Sequence, residues 1–111
     1  MKYICLIYGN EGIDEAEAAA MWQEYGAYQE AVVGAGKFVA GDPLEASSTA
    51  TLVRVREGST LTTDGPYAET KEQIGGYYIL DCDDLDDAIE WASKIPSAKS
   101  GAIEVRPLMK M

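Results

Sequence analysis

Lys2-Tyr3-Ile4-Cys5-Leu6-Ile7-Tyr8 is apolar at both alternating sets, Tyr3/Cys5/Ile7 on one side and Ile4/Leu6/Tyr8 on the other. Successive strand side chains point to opposite faces, so this pattern predicts a strand buried on both faces, in the middle of a sheet. Gly76-Tyr77-Tyr78-Ile79-Leu80 has the same character and predicts a second such strand.

Outward from these two strands the remaining elements follow. After the turn-like Gly9-Asn10-Glu11-Gly12, Asp14 with Glu17 three residues on forms a capping-box start. Ala18, Met21, Tyr25, Tyr28, Val32 and Ala35 then recur at steps of three and four, with Trp22 beside them. This predicts a long helix with one packed face, ended by Gly34 or Gly36, and assigns Trp22, Tyr25 and Tyr28 to the core. Residues 37–44 predict a strand bent by Gly41 and Pro43. Ser47-Ser48 reads as loop. Residues 51–56 and 59–63 are β-prone runs joined by Glu57-Gly58, the pattern of a hairpin. Asp64-Gly65-Pro66-Tyr67 reads as a turn and Thr70-Lys71-Glu72-Gln73 as a short helical turn broken by Gly75-Gly76. Asp83 or Asp84 caps a second helix with the stripe Leu85, Ala88, Ile89, Ala92 and Ile95, stopped near Pro96, and residues 102–106 close the chain as a strand. The order is that of an α+β, ferredoxin-like split βαβ arrangement with an antiparallel sheet, one domain over residues 1–111.

Two helices cover one face of such a sheet, yet two strands are apolar on both. The uncovered face predicts a homodimer with a twofold, face-to-face interface. Nineteen acids against nine bases give a net charge of −10, which repels nucleic-acid phosphates and anionic lipid, so neither nucleic acid nor membrane is an expected partner. The apolar start is too short for a secretory signal, and the expected location is cytoplasmic, with Cys5 and Cys82 as reduced, buried thiols. The sequence contains no His. Catalytic triads built on imidazole, and the imidazole ligands of zinc and non-haem iron, are thereby excluded.

Five acids fall between residues 81 and 87, but counted from Asp81 the sixth and twelfth places of a calcium loop hold Asp86 and Ala92 instead of Gly and Glu. The run reads as the acidic first turn of a helix. Asp64-Gly65-Pro66 is by its chemistry a turn, followed in residues 67–72 by a phenol, two carboxylates and an ammonium, more polar chemistry than a connector requires. Arg54 and Arg56 share a strand face with Leu52 and either reach solvent or line a cleft able to bind an anionic group. Asp42, between Gly41 and Pro43, is either a turn residue or a carboxylate projecting into that cleft.

The stretch Asp64-Gly65-Pro66-Tyr67-Ala68-Glu69-Thr70-Lys71-Glu72-Gln73-Ile74-Gly75-Gly76-Tyr77-Tyr78 closely resembles the signature of the YCII-related proteins called DGPF-domain proteins, with Tyr in place of the Phe. Likeness extends to Met1-Lys2-Tyr3, Gly41-Asp42-Pro43-Leu44, residues 51–56, Ala88-Ile89-Glu90-Trp91-Ala92 and Ile103-Glu104-Val105-Arg106-Pro107. The resemblance implies a ferredoxin-like fold of the dimeric α/β-barrel superfamily, and some members stand beside extracytoplasmic-function sigma factors. A His-Asp pair proposed for YCII-type relatives has no counterpart here, since no His is present. Two readings of function result. In the first, a dimer holds a cleft between the first helix and the sheet and performs cofactor-free acid/base chemistry on a small organic molecule. Asp42 or Asp64 is then the base, Tyr67 or Tyr78 the donor, Arg54 the anchor for an anionic group, and Glu69 and Lys71 further binding residues. In the second, the chain is a non-catalytic binding or regulatory module, linked to sigma-factor signalling, whose acidic surface meets a basic protein partner. Neither reading calls for a metal or cofactor.

Overall fold

A computed structural model describes residues 1–65 and 72–110. The chain runs β1 (Lys2–Asn10), α1 (Glu15–Gly34), β2 (Phe38–Pro43), β3 (Thr51–Arg56), β4 (Ser59–Asp64), β5 (Glu72–Asp81), α2 (Leu85–Ser93) and β6 (Ala102–Pro107), with short 3-10 turns at Ser47–Thr49 and Pro96–Lys99. Four strands form one sheet in the order β2-β5-β1-β6, and every pairing in it is antiparallel. Each helix thus joins two parallel strands with an antiparallel one between them, the split βαβ unit of the ferredoxin-like fold. β3 and β4 stand apart as a two-stranded hairpin, turned through Glu57 and Gly58, both at positive φ as a tight primed turn requires.

β1 occupies the middle of the sheet, as its doubled apolar pattern demands. Tyr3, Cys5 and Ile7 lie buried under the helices, where Tyr78 and Leu80 of β5 join Tyr28 and Val32 of α1 and Ala88 and Ala92 of α2. Burial pushes the Cys5 thiol up to about 11, so it stays a neutral packing group. On the opposite face Ile4, Leu6 and Tyr8 stand beside Tyr77 and Ile79, half-buried, with no helix over them.

Both helix starts use the acids that the sequence places there. Asp14 accepts from the Glu17 N–H at 2.8 Å, and Asp84 accepts from the Asp87 N–H at 2.9 Å. Asp87 in turn accepts from the Asp83 N–H at 2.9 Å and pairs with Lys37 at 2.6 Å. The acidic run is therefore a cap and an ion-pair site tying α2 to the start of β2. Gly36 supplies the left-handed residue after α1: its N–H reaches Val33 O and that of Lys37 reaches Val32 O, a Schellman closure. Gly34 remains inside the helix.

Several expectations change. Glu72 and Gln73 belong to β5 instead of a helical turn, because they extend its pairing with Asn10 and Gly9 of β1; Thr70 and Lys71 lie outside the described residues. The two glycines after them mark a bulge, Gly75 being the residue skipped between the Gly76–Ile7 and Ile74–Tyr8 pairs. Leu85 and Ile89 of the expected α2 stripe are exposed, while Ala88, Ala92 and Ile95 form the buried one. Trp22, assigned to the core, is 63% exposed. Only Tyr28 and Val32, both in the C-terminal half of α1, are buried, so the N-terminal half stands off the sheet.

The Lys37–Asp87 pair predicts a pH dependence with a definite sign. The hydrogen bond to Lys37 holds the Asp87 carboxyl below its usual range, and the hydrogen bond to Asp87 raises the Lys37 ammonium. The contribution of the carboxylate is then fully present above the unfolded value of about 4 and is lost as pH falls through the folded one; that of the ammonium is lost only above about 10.4. Thermal melts between pH 6 and pH 3 are expected to show a falling midpoint, with a shallower fall for Asp87→Asn.

Candidate functional site

A cleft of about 480 Å³ lies between the N-terminal half of α1 and the sheet. α1 contributes Ala18, Met21, Trp22, Tyr25, Gly26 and Gln29; the floor is residues 41–44 at the end of β2 and residues 75–78 of β5, with Ile7, Ile13 and Ser97 closing it. The size is that of a small-molecule site, and the lining is largely apolar.

Two close approaches shape the walls. A Cβ on Gly41 would lie 2.7 Å from Cδ1 of Tyr78 and 2.9 Å from Tyr77 O, so only glycine lets β2 pass beneath the Tyr78 ring. That ring is held edge-on by Tyr28 at 5.2 Å and Phe38 at 6.1 Å. Among the polar groups, Tyr25 Oη and Ser97 Oγ share a hydrogen bond of 2.7 Å. Burial raises the Tyr25 phenol and pushes that of Tyr78 up to about 12. Both remain protonated at neutral pH, fit to donate hydrogen bonds and unfit to act as bases.

Of the residues singled out from sequence, the cleft brings together only Asp42 and Tyr78 among those described. Tyr78 faces the helix side, but Asp42 pairs in register with Tyr77, and Tyr77 with Leu6, which places both side chains on the opposite, helix-free face. There Tyr77 Oη donates to Asp42 Oδ2 at 3.3 Å. Across the same face Tyr8 Oη donates to Glu104 Oε1 at 3.2 Å, and Glu104 pairs with Arg106. Arg54 lies exposed on β3 opposite Leu61, and Asp64 lies exposed at the end of β4 opposite Thr51; neither lines the cleft. Tyr67, Glu69 and Lys71 lie outside the described residues.

Asp64-Gly65 is anchored by residues that the sequence did not suggest. The Gly65 N–H donates to Ala50 O at 2.6 Å, and the Ser47–Thr49 turn beside it is gripped by Glu11, whose carboxylate accepts from the Ser47 N–H at 2.7 Å and from the Ser47 hydroxyl. That hydroxyl, and then the N–H, hold the Glu11 carboxyl below its usual range. The loop before α1, the 3-10 turn and the end of β4 thus form one connected corner.

A family model of the YCII-related domain matches residues 1–111, the whole chain. The chain belongs to the YCII-related family. Among curated proteins this YCII-related chain is similar to Uncharacterized protein R00369 of Rhizobium meliloti (strain 1021), 37% identical over 114 residues, covering 97% of this chain and 92% of the relative. No helix among the described residues is long and apolar enough to cross a membrane.

The missed lining residues are Ile13, Met21, Trp22, Gln29 and Ser97. One signal for them was present: Gly26, a poor helix former, inside an otherwise strong helical pattern between Tyr25 and Tyr28. The corner itself yields a test. A Cβ on Gly65 would fall 2.7 Å from Ser47 O and 2.8 Å from the Ala50 Cβ. Gly65→Ala is expected to cost about 1–3 kcal/mol in urea-induced unfolding by forcing these backbones apart.

Proposed function

We propose that this YCII-related chain works as a homodimer that binds a small organic molecule in the cleft between α1 and the sheet. The observation that carries the reading is the cleft itself. It is a preformed, mainly apolar hollow with a phenol and hydroxyl pair inside, and it leaves Ile13, Trp22 and Leu44 exposed at 45%, 63% and 51% in the lone chain. The protonated phenols and the position of the Asp42 side chain on the other face favour binding over proton abstraction within this cleft.

The homodimer rests on the helix-free face. Ile4, Leu6 and Ile79 form its apolar centre, flanked by the Tyr77–Asp42 pair on one side and the Tyr8–Glu104–Arg106 group on the other. An apolar centre with a polar rim is the anatomy of a protein interface. The chain is also expanded: its radius of gyration is 15.8 Å against about 13 Å for a compact domain of this length, with the hairpin β3–β4 carrying Val53, Val55 and Leu61 into solvent. A second copy on the open face would bury on the order of 2,000 Å² in total.

A second reading, acid/base catalysis, is favoured by the Asp42–Tyr77 hydrogen bond. Enclosed by a second copy, that carboxylate and phenol would stand side by side in a site shielded from water, a base and a donor within reach of one substrate.

Light scattering is expected to give twice the 12.0 kDa chain mass, and Leu6→Asp to yield an aggregating chain or a monomer. A mass of one chain for the unaltered protein would refute the homodimer. In a thermal-shift screen of small organic molecules, stabilising ligands are expected to quench Trp22 emission. If any of them is turned over, Asp42→Asn separates the readings: retained binding with lost turnover supports the base, and unchanged turnover removes it.

A further inference from the structure

Glycine in the interior of a helix weakens it, and a strand glycine gives up side-chain packing, so each such residue needs a reason. Gly41, Gly65 and Gly76 have one in the chain, since a Cβ at each would press on neighbouring backbone within 3.0 Å. Gly9 and Gly34, near the ends of β1 and α1, and Gly26 and Gly75, in the middle of α1 and at the bulge of β5, have none: a Cβ at any of them would meet nothing within 4 Å. Of these four, Gly26 and Gly75 line the cleft, from the helix and from the sheet. Their missing side chains keep the hollow open.

The chemistry of the hollow narrows what fills it. Among the described residues no Lys, Arg or Glu lines it, and the one acid of its lining, Asp42, has its side chain on the other sheet face. Among the described residues an anion would meet no cation there, and it would enter against a net charge of −10. A cation would give up its hydration with no carboxylate of the described lining directed at it. What the walls offer is apolar surface from Ile13, Met21, Trp22 and Leu44, and hydrogen bonding from Gln29 and the Tyr25–Ser97 pair.

Building on the cleft as the binding site, we infer that its ligand is an uncharged, mainly apolar molecule seated against Gly26 and Gly75, with one polar group bonded at the Tyr25–Ser97 pair. Gly26 is then kept for the ligand at the expense of the helix, and its replacement moves stability and binding in opposite directions.

The test uses the full chain and three probes that share one ring system: 2-naphthylmethanol, 2-naphthoate and 2-naphthylmethylamine, titrated by calorimetry. The alcohol is expected to bind about tenfold tighter than either ion, the ions paying for incomplete pairing. Gly26→Ala is expected to raise Tm by about 4 °C while weakening the alcohol, and Gly26→Leu to abolish its binding. Tighter binding of the carboxylate or the amine would overturn the uncharged class and leave the cleft standing. No binding by any of the three, or unchanged alcohol binding in Gly26→Leu, would overturn the cleft as the site as well. A lowered Tm in Gly26→Ala would assign Gly26 a structural role and overturn its part in the inference.

Discussion

Everything in this molecule is arranged around β1, a strand whose two faces are both apolar. Tyr3, Cys5 and Ile7 are closed off by α1 and α2, and Ile4, Leu6 and Tyr8 lie on the other face of the same backbone. A sheet one strand thick with a single layer of helices satisfies only the first set. The chain therefore carries a finished core on one side and a half-buried apolar surface on the other. The N-terminal half of α1 adds a second feature, because none of its residues is buried. Between that half and the sheet lies the cleft.

The two surfaces have different chemistry, and the register of β2 on β5 separates them. Gly41 and Tyr78 face the helices while Asp42 and Tyr77, one residue away, face the open side. Because side chains alternate, a single step along the strand moves a carboxylate from the cleft side to the helix-free face. The charged and hydrogen-bonded groups Asp42, Glu104 and Arg106 are thus gathered on the open face, and the cleft keeps phenols, a hydroxyl and an amide. The acids at the start of α2 serve neither surface. Asp84 and Asp87 accept from backbone N–H groups, and Asp87 also pairs with Lys37.

Local pattern carried the element order, both helix caps, the hairpin turn at Glu57-Gly58 and the central position of β1, since each depends on neighbours within a few residues: an Asp three positions before an N–H, a pair of turn residues, an alternation of period two. The family likeness was legible for the same reason, in a contiguous stretch from Asp64 to Tyr78. What tertiary structure alone decided was distance and facing. Periodicity put Trp22 on the packed side of α1, but there the helix stands off the sheet and Trp22 lines the cleft instead of the core. Strand alternation suggested Arg54 and the polar turn suggested Asp64 for the cleft, but the hairpin holds them away from it. The grip of Glu11 on Ser47 joins residues 36 positions apart, and the Tyr25–Ser97 bond joins residues 72 apart. Such contacts are set by how a helix seats on the sheet and where a bulge falls, quantities that sum over the whole fold and that no local pattern of a few residues specifies.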